Sequence, residues 1–360
     1  MNLGLSIKRY LVPLAGAMMA LAATRLVVRL SSRGDPCRNI ATEDPHGRDA
    51  ERPEAIPARG LVDVFWRVYE EVLRDRVSLI AAGVTFYLFL ALFPALGAVV
   101  ALYGLAADRA TMAQHIRELA VLLPPGAFDI VADQIQELSK KPNGSLGIAF
   151  FAGFAIALWS AHNGTLALFD AMNVAYEEDE KRTFLWRNLT GLAFTLGATI
   201  VVIAMIGLVA GLPIVLSYVW LGEVPEEIVL MIRWPVLLAI FFCGIMALYR
   251  FGPSREPAKV RWMTWGAAMT TIACVAMSLC FSLYLDRFAD YKATYGALGA
   301  LIGLLVWTWL SVTILIVGAE LNAELEHQTA RDTTTGAPLP MGVRGAFVAD
   351  SLGKTSGQSG

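Results

Sequence analysis

Six long, nearly uncharged runs leave this chain few ways to fold. They lie at about 79–105, 146–168, 189–216, 228–249, 262–285 and 296–319. Roughly 20 apolar residues in helix cross a hydrocarbon core, and a helix satisfies its own backbone hydrogen bonds where no water can. Charge is scarce to match: 17% of the 360 residues, against 56% hydrophobic and a mean hydropathy of +0.56. A soluble domain carries about 25% charged residues. The expected fold is therefore all-α, a polytopic membrane protein with a six-helix transmembrane bundle.

Three regions follow. Residues 1–59 hold a weaker apolar segment, "YLVPLAGAMMALAAT", and then a stretch rich in Pro, Gly, Asp, Glu and Arg that reads as a disordered linker. The apolar segment has the form of a signal-peptide core, but the many arginines between it and the first main span oppose translocation. A re-entrant helix, an extra span and a misassigned start all fit. Residues 60–328 form the six-span domain, introduced by "LVDVFWRVYEEVLRDRV", an amphipathic helix expected at the interface with Trp66 and Tyr69 at headgroup level. Residues 329–360 are short on large apolar side chains and read as a disordered tail.

Basic residues orient the bundle. With both ends of the six-span unit in the cytoplasm, the inner flanks and tail hold thirteen lysines and arginines, and the outer segments seven. The positive-inside rule favours that arrangement. The long outer connection has apolar residues at Met112, Ile116, Leu119 and Leu123, a break at Pro124-Pro125, and a second series at Phe128, Val131, Ile135 and Leu138. These spacings predict an extracytoplasmic amphipathic helical hairpin.

The sequence gives an enzyme little to work with. The four histidines are far apart, with no H-x-H or H-E-x-x-H, so no metal site and no cofactor are expected. Neither a G-x-S-x-G elbow nor a Walker loop occurs. A net charge of −2 supplies no basic field for nucleic acid. Polar residues at membrane depth stand out instead, because they are costly there and mark pathways. Thr85 and Tyr87 precede Pro94, which should kink the first span; His162 and Asn163 interrupt the second, and Asn173 follows at its inner end. These five make a candidate polar cavity opening inward, although each alone is more often interhelical glue. Gly296, Gly299 and Gly303 lie on closely related faces of the sixth span and predict tight helix packing, with a homo-oligomer face as the alternative.

The stretches "LIAAGVTFYLFLALFPAL" (79–96), "LFDAMNVAYEEDEKRTF" (168–184), "YRFGPS" (249–254) and "YGALGALIGLLVWTWLSVTILIVGAELNAELEH" (295–327) carry a resemblance over roughly residues 60–328. The chain resembles the YihY/virulence-factor BrkB family of bacterial inner-membrane proteins, long mislabelled ribonuclease BN. The resemblance implies six transmembrane helices, an inner-membrane location and no settled activity. Its recurring positions stand here as Phe86, Tyr87, Pro94, Trp159, Asn173, Tyr176, Arg182, Tyr295, Gly296, Gly299, Trp307, Gly318, Glu320, Leu321 and Asn322. The ribonuclease label finds no chemical support in these residues.

The last span ends in "IVGAELNAELEHQ" (316–328), whose Glu324 and His327 make an E-x-x-H. A di-metal site would need a second such pair, and the other histidines lie elsewhere. Glu320 is therefore expected in a cytoplasmic charge latch with Asn322, Arg182, Arg250 and Arg255, and Glu324, Glu326 and His327 in a solvated exit turn. The expected function is a non-enzymatic transporter or flippase-like factor for a lipid or small solute, among membrane lipids. Without an ATPase motif it would run on a gradient or a partner's energy. The alternative is a non-transporting scaffold or envelope assembly factor.

Overall fold

A two-residue turn at Asp75-Arg76 joins the amphipathic entry helix to the first long apolar one, with Arg76 in the left-handed region at φ 52°. In the computed structural model the described residues are 44–106, 143–206, 208, 226–288 and 297–355. They form α1 (Ala58–Arg74), α2 (Val77–Ala106), α3 (Asn143–Ala175), α4 (Phe184–Ile206), α5 (Glu226–Phe251), α6 (Val260–Phe288), α7 (Ala297–His327) and a last turn, α8 (Phe347–Asp350). No strand occurs among the described residues, which hold one isolated bridge, Ala258 to Thr334. Five helices are long and apolar enough to cross a membrane, with spans at Val77–Ala95, Phe184–Met205, Arg233–Phe251, Val260–Leu285 and Leu301–His327. The predicted second span falls within the 33-residue α3. The predicted outer hairpin, Gly296 and the apolar segment at 1–30 lie outside the described residues.

Most of the surface of these long helices is not buried against neighbouring helices. Side chains such as Phe151, Trp159, Ile200 and Ile203 face outward, as a helix bathed in lipid requires. The core is concentrated at one end. There Val77, Ala81, Val84, Phe169, Met172, Tyr249, Met263, Val312 and Ile316 pack together. A second cluster joins Val64 and Val68 of α1 to Trp262, Leu321 and Leu325. So α1 buries a narrow stripe against α7 and leaves Phe65, Trp66, Tyr69 and Leu73 exposed. An exposed aromatic face suits an interface helix.

Two predicted disordered segments are packed at this same pole. From the linker, Ala50 and Ile56 enter the second cluster, and His46 meets Asp63 at 2.6 Å. From the tail, Thr333, Thr334, Val348 and Ala349 are buried. Their order comes from hydrogen bonding more than from apolar area. Arg344 donates to the carbonyls of Ala349 (2.6 Å), Ala330 (2.8 Å) and Leu339 (3.1 Å). Asp350 accepts from the amides of Gly342 and Arg344, and Asp332 from those of Thr334 and Leu339. Those bonds hold the Asp332 carboxyl below the ordinary carboxylate range, against the opposing effect of burial. Arg344→Ala is expected to free this strap while leaving the spans intact. Limited proteolysis of the full chain should then cut between residues 331 and 355 faster than in the parent.

Gly318 and Gly266 make a close helix crossing that the glycine pattern did not name. A Cβ on Gly303 would meet nothing, whereas one on Gly318 would collide with Thr270 Oγ1 and Tyr249 Oη, and one on Gly266 with the carbonyl of Gly318. The tight contact is therefore α6 against α7. Asn322 Oδ1 accepts the Gly266 amide at 2.7 Å, and Tyr249 Oη donates to the Leu315 carbonyl at 2.7 Å.

Candidate functional site

The last two turns of α7 carry an unusual load of buried polar groups: Glu320, Asn322, Glu324, Glu326 and His327, followed by Gln328 and Thr329, all at most 9% exposed. The predicted solvated exit turn is thus corrected. The linker, α1 and the strap cover it from three sides, and each supplies polar partners.

Arg67, on the buried stripe of α1, is the main one. Its Nε donates to Glu324 Oε2, Nη2 to the Glu324 carbonyl (3.1 Å) and Gln328 Oε1 (2.8 Å), and Nη1 to the Lys354 carbonyl (2.8 Å). On the opposite side Arg255 pairs with Glu326 at 2.7 Å, with both side chains at most 2% exposed. Thr333 donates to the same carboxylate at 2.7 Å, and the guanidinium lies 4.9 Å over the Tyr176 ring. Burial alone would lower the Arg255 pKa; the Glu326 carboxylate more than offsets that and raises it. His327 Nε2 bonds Ser351 Oγ at 2.9 Å. Among the described residues no three metal-ligating side chains converge.

The expected latch therefore divides. Arg255 serves Glu326. Arg182 grips Glu180 with two bonds of 2.8 Å and donates to the Gly252 carbonyl at 2.8 Å. Arg250 reaches the Ala258 carbonyl at 3.3 Å, and Asn322 holds Gly266. None of these pairs with Glu320: Arg182 and Arg250 bind acceptors close by in the chain, and Arg255 and Asn322 are taken by Glu326 and Gly266. Arg182, Arg250 and Arg255 also line a cavity of about 380 Å³ with Lys181 and Phe251. Since Lys181, Arg182 and Arg255 are already paired with Glu178, Glu180 and Glu326, its wall is nearly neutralised.

The five residues of the predicted polar cavity are not brought together either. Thr85 is buried and donates to the Ala81 carbonyl of its own helix at 2.7 Å. Tyr87 is half-buried and edge-on to Phe86 at 5.6 Å. His162 Nε2 bonds Asn188 Oδ1 of α4 at 3.2 Å, with the half-buried Asn163 beside it. Asn173 pins a loop: Oδ1 accepts the Ser254 amide at 2.7 Å and Nδ2 donates to Glu180 at 3.1 Å. Burial would raise the Glu180 carboxyl, but the bonds from Arg182 and Asn173 prevail and hold it at about 2. His162 and Asn173 thus tie separate elements together, while the bond from Thr85 and the ring contact of Tyr87 stay within α2.

What remains is Glu320. It is 2% exposed, and its Oε1 has no hydrogen-bond partner among the described residues. The strongest charges acting on it, Asp75, Glu324, Glu71 and Glu177, are all negative. They come from α1, the α1–α2 turn, the end of α3 and α7 itself. Glu177 stands in the left-handed region at φ 51°, where α3 ends. Among the described residues Glu320 is thus a buried carboxyl with acidic neighbours and no arginine partner. Sequence reasoning singled out Glu320 but gave it partners; the signal it lacked was that Asp63 and Arg67 share the buried face of α1.

Apolar helices with a buried charged pole define a polytopic membrane protein. Comparison with known proteins makes this specific. The family model for virulence factor BrkB matches residues 68–340, and the chain belongs to that family. It is 32% identical over 209 residues to the putative ribonuclease-like protein YfkH of Bacillus subtilis, covering 57% of this chain and 74% of YfkH. A UPF0761 membrane protein of Vibrio campbellii is 25% identical over 272 residues, 74% of this chain and 83% of that one. Another, from Idiomarina loihiensis, is 27% identical over 187 residues, 51% of this chain and 61% of its own length. No solved structure matches.

Proposed function

We propose that the chain is an inner-membrane transport protein, a transporter or flippase-like factor for a lipid or small solute, and not an enzyme. In this reading it crosses the membrane six times. The charged pole faces the cytoplasm, as its excess of arginines favours, and the hairpin lies outside. The observation that carries the reading is the unpaired Glu320 inside a membrane-spanning helix. An uncompensated buried carboxyl is destabilising, and ionisable groups within spans mark ion and substrate pathways. A scaffold gains nothing from it, because Arg67–Glu324 and Arg255–Glu326 already fasten the pole. A charge-bearing step also suits a protein with no ATPase motif.

The alternative, a non-transporting scaffold or assembly factor, draws on Thr85 and Asn173, whose polar atoms are spent inside the bundle. The two readings separate in vesicles containing the full chain and labelled phospholipid or solute. Movement is expected with the parent, and a loss of about tenfold or more in Glu320→Gln. Parent vesicles that move nothing, or a Glu320→Gln protein as active as the parent, would favour the scaffold.

A further inference from the structure

Counting charge around Glu320 exposes an imbalance. Glu320 lies within electrostatic reach of Glu71, Asp75 and Glu177, and these three gather in one recess around a cation, Arg74. It forms an ion pair with Glu71, meets Glu177 at 3.3 Å and lies 3.5 Å from Asp75. Its side chain is 59% exposed, so it sits at the mouth of the recess. The next carboxylate inward, Glu324, is matched by Arg67, with His327 at 3.7 Å. Arg255 and Glu326 form their own pair beyond Tyr176. With Glu71, Asp75, Glu177 and Glu320 all ionised, four negative charges would stand against the one positive charge of Arg74.

Among the described residues the buried Glu320 Oε1 also lacks a hydrogen bond. Closely spaced carboxyls away from water cannot all ionise; they share protons and titrate as a unit.

We propose that this recess is a proton-binding site, in which the carboxyls of Glu71, Asp75 and Glu320 hold one exchangeable proton behind Arg74 and beside Glu177. The transfer is an acid–base one. A proton from cytoplasmic water enters past Arg74, binds one carboxylate oxygen and leaves by the same route. Glu71 shows the tendency outside the span: burial raises its carboxyl, Arg74 opposes this, Glu324, Glu177 and Asp75 raise it further, and it reaches about 7. Burial likewise raises Asp75. A raised folded-state pKa gives stability that is full below the ordinary carboxyl range and is lost as pH rises through about 7. The melting temperature should therefore fall across neutrality, and Glu71→Gln should flatten that fall. The assignment deepens the transport reading and rests on it for the proton's purpose.

The test is proton uptake by the purified full chain in detergent, read with a pH indicator and by the infrared band of protonated carboxyls. The parent is expected to take up about one proton as pH drops from about 8 to about 6. Glu71→Gln and Glu320→Gln should each remove that step or shift it down by about one unit or more, and the exposed Glu70→Gln should not move it. Should Glu320→Gln fail to fold, Glu71→Gln carries the test, because its carboxyl lies nearer the surface. No uptake in the parent, or uptake unchanged in both variants, would overturn the proposal. So would a step that moves with sodium or potassium at fixed pH, which would assign the recess to an alkali cation. Uptake needs no substrate, so inert vesicles would leave this site standing, and a failed titration would leave transport untouched.

Discussion

Arg255→Ala is expected to abolish the folded membrane domain or lower its yield severely. The Arg255–Glu326 pair is buried, and removing one partner strands the other charge at a cost of about 3–5 kcal/mol. It would also take away the cation over the Tyr176 ring and leave Glu326 with Thr333. The diagnostic is the double variant Arg255→Met with Glu326→Leu. Buried pairs replaced together by apolar groups of similar volume lose little, so this protein should recover most of the parent's melting temperature in detergent. A double variant as poor as Arg255→Ala would mean that the charges themselves are needed. Arg182 offers a contrast: its pair with Glu180 is about one-fifth exposed, and Arg182→Ala should cost distinctly less in the same melt.

Gly318→Val is expected to be the other large effect. The added side chain would land on the Thr270 hydroxyl and the Tyr249 hydroxyl, at the point where the α6 backbone comes closest to α7. Tyr249 would lose its bond to the Leu315 carbonyl as the helices separate. Overpacking of this kind costs about 1–3 kcal/mol and sometimes more; here a buried hydrogen bond goes with it. Gly303→Val on the same helix meets open space and should melt with the parent. The paired measurement distinguishes a helix crossing from a general intolerance of α7 to branched residues.

What was legible in the sequence follows the range over which each signal acts. Apolar runs declare themselves locally, so the long helices were foreseen, and the alternation of Val64 and Val68 with charged residues foretold α1. The strap at 329–355 could not be read that way. Arg344, Asp332 and Asp350 organise it by binding backbone groups, which leaves no apolar pattern. The cluster on α7 misled for a related reason. Charges leaving a span normally meet water, and Glu324 and Glu326 are buried only because Arg67 and Arg255 come from remote parts of the chain to cover them. The crossing at Gly266 and Gly318 gave no spacing signal, because that partnership spans two helices.

Arg67 also imposes an order on assembly. Its acceptors Glu324, Gln328 and Lys354 lie 257, 261 and 287 residues further along the chain. At about 5–20 residues per second of synthesis, α1 waits on the order of ten to sixty seconds for them. During that interval the arginine must stay in water or among lipid headgroups, where the exposed aromatic face of α1 can rest. The helices can enter the bilayer one after another, but the pole closes only when the strap has been made. A chain stalled before Lys354 would therefore hold its spans in the membrane with Arg67 still short of one of its acceptors.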